Sequence, residues 1–431
     1  MQKQTVSIFW FRRDLRLEDN VTLYHALQSK YPVIPLFIFD TGILNSLPKN
    51  DPRVGFIHVS LQKINTKLNS VGSSLLIKKG ATIDVWEQLF QEFDISAVFF
   101  NKDYEPYAIK RDLAIVALAK EHNTLCFSFK DQVIFEEKEI TKSDGLSYTI
   151  YTPYKNKWLE RYKSMAPLVE YDTQNHFSSF HKNHFDFPNL QQIGFEESNI
   201  KVQPHNLAQI TNYHETRDFP AMDSTSYLSP HLRFGTVSIR KLVNWAVQKN
   251  DVFLSELIWR EFFMQILFSF PKVVSHNFKS AYDGVQWRNN EEDFKRWCTG
   301  TTGYPMVDAG MRQLNETGYM HNRVRMVVAS FLCKHLLINW QWGEAYFAEK
   351  LLDYDLSANV GNWQWAAGTG CDAAPYFRVF NPDIQLKKFD EKGIYIRKWI
   401  TEFDLGYCEP MVDHTFARDR AIATYKAGIL K

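Results

Sequence analysis

Over its first 130 residues the chain alternates short apolar runs with longer stretches of mixed polarity. TVSIFWF, PVIPLFIFD, SLLIKK, ISAVFF and TLCFSF read as strands, and helical spacing between them predicts helices near 21–29, 52–71, 83–93 and 106–122. Asp51 ahead of Pro52 makes a cap and first-turn pair for the second helix, and Gly72 follows it as a stop. Strands apolar on both faces and separated by helices predict a doubly wound, parallel, five-stranded α/β domain over 1–130. From 131 to 203 the periodicity weakens, and loop formers such as those in FDFPNLQQIG predict a connector laid over the surface. From 204 to 431 the segments SIRKLVNWAVQ, LSELIWREFFMQILFSF and DAGMRQLNETG carry helical spacing with very little strand signal, so the second half is expected to be an all-helical domain. The chain shows neither an internal repeat nor a low-complexity tract.

At 431 residues the chain is longer than one core readily supports, which agrees with two domains. No apolar stretch approaches the roughly 18 residues of a membrane helix, and the apolar run in MQKQTVSIFWF is too short for a signal-peptide core. Cys126, Cys298, Cys333, Cys371 and Cys408 are scattered, with no CxxC spacing. Disulfides and metal sites are therefore not expected, and the expectation is a cytoplasmic monomer with reduced thiols. A net charge of +1 leaves a nucleic-acid partner open, because an acidic face can offset a basic patch.

The chemistry concentrates in the second half. Aromatic residues make up 15% of the chain, and between 302 and 383 they are interleaved with Arg, Asp, Asn and His, as a pocket for a flat, charged ligand requires. No GxGxxG or GxxxxGK[ST] follows a strand, and neither HExxH nor GxSxG occurs, so dinucleotide-fold, P-loop, zinc-protease and serine-hydrolase chemistry are disfavoured. Glu256, Trp259 and Arg260 share one helical face. Taken alone they describe an intrahelical ion pair beside a core Trp, but flanking Leu254, Leu257, Ile258, Phe262 and Phe263 imply burial, where charge requires a partner or ligand. In MHNRVRM, Asn322, Arg323, Arg325 and Met326 are spaced on a helix, and the acidic pair Asp353 and Asp355 offers Arg325 a carboxylate. ANVGNWQW gathers Asn359, Trp363 and Trp365 around Gly361, which permits close backbone approach.

These residues resemble the photolyase/cryptochrome family, and within it the bacterial-type cyclobutane pyrimidine dimer photolyases. The resemblance runs from WFRRDLRLEDN through YTPYKNKW, RDFPAMDSTSYLSPHLRFGTVS, TGYP, MHNR and NWQWAAGTG to FNPDIQLKKFD and MVDHTFARDRAIATYK. It implies an α/β domain able to hold an antenna pigment and a helical domain binding FAD, active as reduced FADH−, with damaged DNA as partner. It also implies light-driven electron transfer to a flipped-out dimer, ring cleavage and electron return.

By motif match, Tyr213, Thr225, Ser226 and Ser229 would contact the phosphates and ribityl chain, while Arg260, Asn322, Arg325, Asp353, Asp355 and Asn359 would surround flavin and adenine. Glu256, protonated in an apolar setting, would bond the dimer carbonyl. Trp259, Trp365, Met326, Asn322 and Arg323 would face the dimer, and Arg217 a neighbouring phosphate. Trp363, Trp340 and Trp287 match the family's electron-transfer chain. Asn359 stands where plant-type cryptochromes resembling this pattern carry Asp, which favours repair over the alternative of a signalling cryptochrome. Six-four photolyases have histidines where Asn322 and Met326 stand. Tyr319 and Phe253 replace Trp of close relatives, so packing is expected to differ there. Glu105 matches a carboxylate of folate-binding relatives, but the Cys–Lys pair such relatives add near Pro271 is absent. The antenna is therefore open among methenyltetrahydrofolate, a deazaflavin, a second flavin and none. A non-photochemical flavoprotein oxidoreductase is the remaining rival, and it lacks a recognisable nicotinamide site here.

Overall fold

The computed structural model describes residues 3–429. The chain forms two compact units, one comprising Met1–Glu139, Arg161–Pro204 and Leu228–Gln248, the other Ile140–Glu160, His205–Tyr227 and Lys249–Lys431. The stretch between 131 and 203 is thus shared between the units, and 228–248 is helical but packs with the first.

In the first unit, strands β1 (Thr5–Phe11), β2 (Val33–Asp40), β3 (Leu76–Gly80), β4 (Asp94–Asn101) and β5 (Leu125–Phe129) form one sheet in the order β3-β2-β1-β4-β5. Every pairing is parallel, with Ile8 opposite Ile34 on one side and Val98 on the other. Because side chains alternate along a strand, one face carries Phe9, Phe11, Phe37 and Phe39 and the other Ile8, Trp10, Leu36 and Ile38. The first face packs on helices Val21–Leu27 and Pro52–Asn69, the second on Thr82–Glu92 and Pro106–Glu121. Helices on both faces of a parallel sheet are the doubly wound arrangement read from the sequence. Asp51 caps the second helix by accepting from Arg53 N at 2.9 Å, as expected.

A buried charge network ties 228–248 to this unit. Asp131 accepts from Arg16 at 2.7 Å and from Arg240 at 2.9 Å, and Arg240 also engages Asp19. Burial would raise the Asp131 carboxyl, but the two guanidiniums outweigh it and hold the group below its ordinary range.

The second unit is helical. Its core joins Trp297, Met306, Val324, Val328, Leu332, Trp340, Phe347, Val360 and Trp363 from six consecutive helical segments. The helix Tyr151–Lys163 has no counterpart in the sequence reading, which placed a connector there. Tyr151, Tyr154 and Trp158 fall on one face, and Tyr154 and Trp158 are fully buried. Trp158 Nε1 donates to Glu261 at 2.7 Å and the Tyr154 hydroxyl at 3.3 Å, so this buried carboxylate is satisfied by two aromatic donors. All five cysteines are free. Among the described residues no helix is long and apolar enough to cross a membrane, and no His/Cys/Asp/Glu group is arranged to hold a metal.

Candidate active site

The helix Asp251–Ser269 starts at Asn250, whose side chain accepts from Val252 N and Phe253 N, and it presents Glu256, Trp259 and Arg260 half-buried along one side. Glu256 does not lie in an apolar setting. Its Oε1 accepts from Arg217 Nη1 at 2.7 Å, and the two side chains are 31% and 25% exposed. Arg217 reaches it from the turn after the short helix Tyr213–Thr216, with its guanidinium 5.3 Å from the Tyr213 ring centre. Trp259 is covered by Tyr151, the rings stacked at 3.6 Å and 8°, while the Tyr151 hydroxyl donates to Ser255 O at 2.7 Å. Neither Tyr151 nor the Glu256 partner is visible from spacing within one helix.

The helix Asn322–Ser330 is capped by His321, whose Nδ1 accepts from Arg323 N at 3.2 Å. Burial, reinforced by Arg325, pushes the His321 imidazole down to about 4, so it stays neutral and keeps its acceptor. Asn322 is exposed. Arg323 donates to Asp218 at 2.7 Å, lies 4.4 Å from the Phe389 ring centre and reaches the Met326 sulfur at 3.7 Å. Arg325 grips Asp353 at two points, 2.9 and 3.2 Å, and gives its Nε to Met320 O at 2.7 Å. The pair expected from the sequence is therefore present, with Tyr319 at 5.7 Å from the guanidinium.

The helix Leu356–Ala367 starts at Asp355, which accepts from Ser357 N and Ala358 N. Asn359, one turn on, is buried, and its Nδ2 donates to Glu344 Oε1 at 2.9 Å and Glu344 O at 3.1 Å. Burial raises the Glu344 carboxyl despite bonds from Asn359 and Tyr354. Glu344 escaped the sequence reading because it lies on a different helix, Trp340–Lys350. Gly361 packs its backbone onto the Phe263 ring, where a Cβ would come to 2.2 Å. Trp365 is half-buried.

Thr225 and Ser226 lie in a loop bounded by Asp223 and Tyr227, two non-glycine residues at φ 44° and 53°. Such backbone costs on the order of 1–3 kcal/mol per residue and persists at ligand clamps. Tyr227 donates to Asp223 and sets its ring 5.1 Å from Tyr319. Ser229 is exposed, on the helix Leu228–Arg233 of the first unit. A clamped hydroxyl-bearing loop, a two-point Arg–Asp pair and a buried amide form a donor set that suits a phosphate-bearing, flat cofactor.

Trp363 and Trp340 are buried, and Trp287 lies at the edge of the same core. Trp363 meets Phe347 at 4.9 Å and Trp297 at 6.1 Å, Trp340 Nε1 donates to Asn277 at 2.9 Å, and Trp287 meets Tyr425 edge-on at 5.7 Å. The three rings share one core. In the first unit Glu105 accepts from Arg13 at 2.7 Å and from Arg233 at 2.8 Å, so its carboxylate is already held between two guanidiniums.

Two family models match the chain: DNA photolyase over residues 7–172, and the FAD binding domain of DNA photolyase over 253–405. Deoxyribodipyrimidine photo-lyase of Agrobacterium fabrum is 35% identical, covering 97% of each chain. A bacterial class III photolyase from Agrobacterium tumefaciens superposes with a TM-score of 0.87 at 33% identity, covering 99% of this chain and 98% of its own. An archaeal photolyase from Sulfolobus tokodaii, solved with two FAD molecules, gives 0.81 at 34% identity, covering 98% and 99%.

Proposed function

Because this chain belongs to the DNA photolyase family, we propose that it is a deoxyribodipyrimidine photo-lyase that repairs cyclobutane pyrimidine dimers in DNA under blue light, using FAD. The observation that carries this reading is the end-to-end match to enzymes of that name, and the clustering of Arg325, Asp353, Asp355 and Asn359 supports it. The chemistry that FAD supplies in this site is absorption of blue light and transfer of one electron to the dimer, recovered after the ring opens.

Thr225, Ser226 and Tyr213 would hold the phosphates and ribityl chain, and Arg260, Asn322, Arg325, Asp353, Asp355 and Asn359 the flavin and adenine. Arg325, fixed by Asp353, contributes a permanent positive charge that favours an anionic ligand beside it. Asn359 cannot ionise, and Glu344 fixes which way its amide points. Trp259, Trp365, Met326 and Asn322 would receive the dimer, which has to leave the base stack to reach them. Arg217 and Arg323 would take backbone phosphates, making affinity fall with salt. Trp363, Trp340 and Trp287 would relay an electron from the surface to the site. An antenna, if this chain binds one rather than none, would be a folate, a deazaflavin or a flavin in the first unit near Glu105. Extraction and mass analysis of the bound pigments identifies it.

The test is blue-light restoration of an oligonucleotide carrying one thymine dimer by the reduced protein. Repair in light and none in darkness is expected. A protein that takes up no FAD, or leaves the dimer intact in light, overturns the reading.

A further inference from the structure

The loop that carries Thr225 and Ser226 is tied across its bend by one side-chain bond. Asp223, at φ 44°, ends the short turn Pro220–Met222 in the left-handed region, and Tyr227, at φ 53°, leaves the loop in the same region. Neither is glycine, so each holds its backbone against its own preference. The Tyr227 phenol donates to the Asp223 carboxylate four residues back, spanning the bend. Burial, reinforced by that carboxylate, pushes the phenol above its ordinary value, so it remains a donor.

Further contacts locate the loop. Ser226 O accepts from Asn206 N at 2.9 Å, and the Tyr227 ring lies 5.1 Å from the ring of Tyr319, which in turn lies 5.7 Å from the Arg325 guanidinium. Inside the bend the Thr225 hydroxyl is sealed from solvent near the Tyr227 and Tyr319 phenols, but it has no well-formed hydrogen bond with either. Buried hydroxyls are nearly always satisfied, so this one is set for a partner that the chain does not supply. A strained loop that is tied keeps such donors placed before the cofactor arrives. Untied, Asp223 and Tyr227 relax into ordinary backbone, and the cofactor binds only the fraction of molecules still bent.

We propose that the Tyr227–Asp223 bond is a latch that preorganises the phosphate-holding loop, which makes Tyr227 and Asp223 positioning residues for FAD that act through Thr225 and Ser226. This rests on the reading above that Thr225 and Ser226 hold the phosphates and ribityl chain. A hydrogen bond to a charged acceptor shifts an equilibrium by about tenfold or more. The hydroxyl is the active part of Tyr227, because the ring contact with Tyr319 survives its removal.

The experiment is release of FAD from the full-length, FAD-loaded protein on dilution, followed to equilibrium by recovery of flavin fluorescence at several protein concentrations. Tyr227→Phe and Asp223→Ala are each expected to weaken FAD binding by about tenfold. The double variant is expected to fall no further than either alone, because both remove the same bond. Asp223→Asn, which keeps an oxygen acceptor, is expected to recover part of the loss. In every variant the absorption band of the bound flavin should keep its wild-type shape, since the latch acts on the loop and not on the ring system. Undiminished retention in Tyr227→Phe overturns the latch. So do losses that add in the double variant or a changed band shape, because either reports general damage to the pocket. A wild-type protein that holds no FAD overturns the repair reading instead.

Discussion

Asn359 turns its amide nitrogen onto Glu344, donating at 2.9 Å to the carboxylate and at 3.1 Å to the carbonyl of the same residue. This fixes the amide and leaves its oxygen directed away from Glu344. Residues fifteen apart in sequence, on the helices Trp340–Lys350 and Leu356–Ala367, are joined there by one side chain.

Asn359→Asp replaces that donor by a second acidic group beside a buried carboxyl. Two carboxyl groups at such separation cannot both ionise, and the lost bond to a polar partner costs about 1–3 kcal/mol. Lower unfolding midpoints in denaturant and weaker repair in light are expected, whereas Glu344→Gln, with Asn359 unchanged, preserves an acceptor and should cost less. Equal stability and repair in Asn359→Asp would show that the amide is not required.

Gly343 sits under Trp363, where an added Cβ would lie 2.1 Å from Cη2 and 2.6 Å from a Leu332 methyl. Trp363 and Leu332 are both buried, so either can yield only by displacing other core atoms. Gly343→Ala is expected to destabilise by about 1–3 kcal/mol through overpacking and to shift Trp fluorescence. Thermal unfolding and emission spectra read both, and an unperturbed variant would mean that the two helices can part to admit a methyl group.

Much of this architecture was legible in local pattern. The strand runs and first-half helices fall within two residues of their expected ends, because burial on both faces imposes uninterrupted apolar strands. Arg325 and Asp353 could be matched because each was chemically costly in an apolar context. The helix Tyr151–Lys163 was missed although Tyr151, Tyr154 and Trp158 follow helical spacing, since Lys155, Lys157 and Glu160 dilute its apolar face. Glu256 was misjudged for another reason. Helical spacing reports neighbours on one helix, and its actual partner, Arg217, comes from 39 residues earlier. Glu344 was invisible on the same grounds.

Asp353→Asn removes the charge that holds Arg325 while keeping the shape. The Arg325 side chain is 25% exposed, so the loss is smaller than for a sealed ion pair, about 2 kcal/mol. The freed guanidinium would no longer be fixed beside the cofactor site. Less FAD should be retained through gel filtration, with Asp353→Glu recovering part of it. Full retention in Asp353→Asn would remove the pair from the binding site.

His321 links the cap of the Asn322–Ser330 helix to pH. Its ordinary value of 6.5 is pushed down to about 4 in the folded chain, first by burial and then by Arg325. A depressed folded value means that the unfolded chain binds the extra proton first. The contribution is therefore complete above pH 6.5 and drains away as pH falls toward 4. Protonation also removes the Nδ1 lone pair that caps Arg323 N. His321→Asn keeps a capping acceptor that does not titrate, so its loss of stability between pH 6.5 and 4 should be shallower than that of the wild type. His321→Ala should share the shallower slope but start about 0.5–2 kcal/mol lower at neutral pH. Denaturant unfolding across this range measures both. Parallel curves for wild type and His321→Asn would place the acid sensitivity elsewhere, with the buried, neutral His335 as the next residue to test.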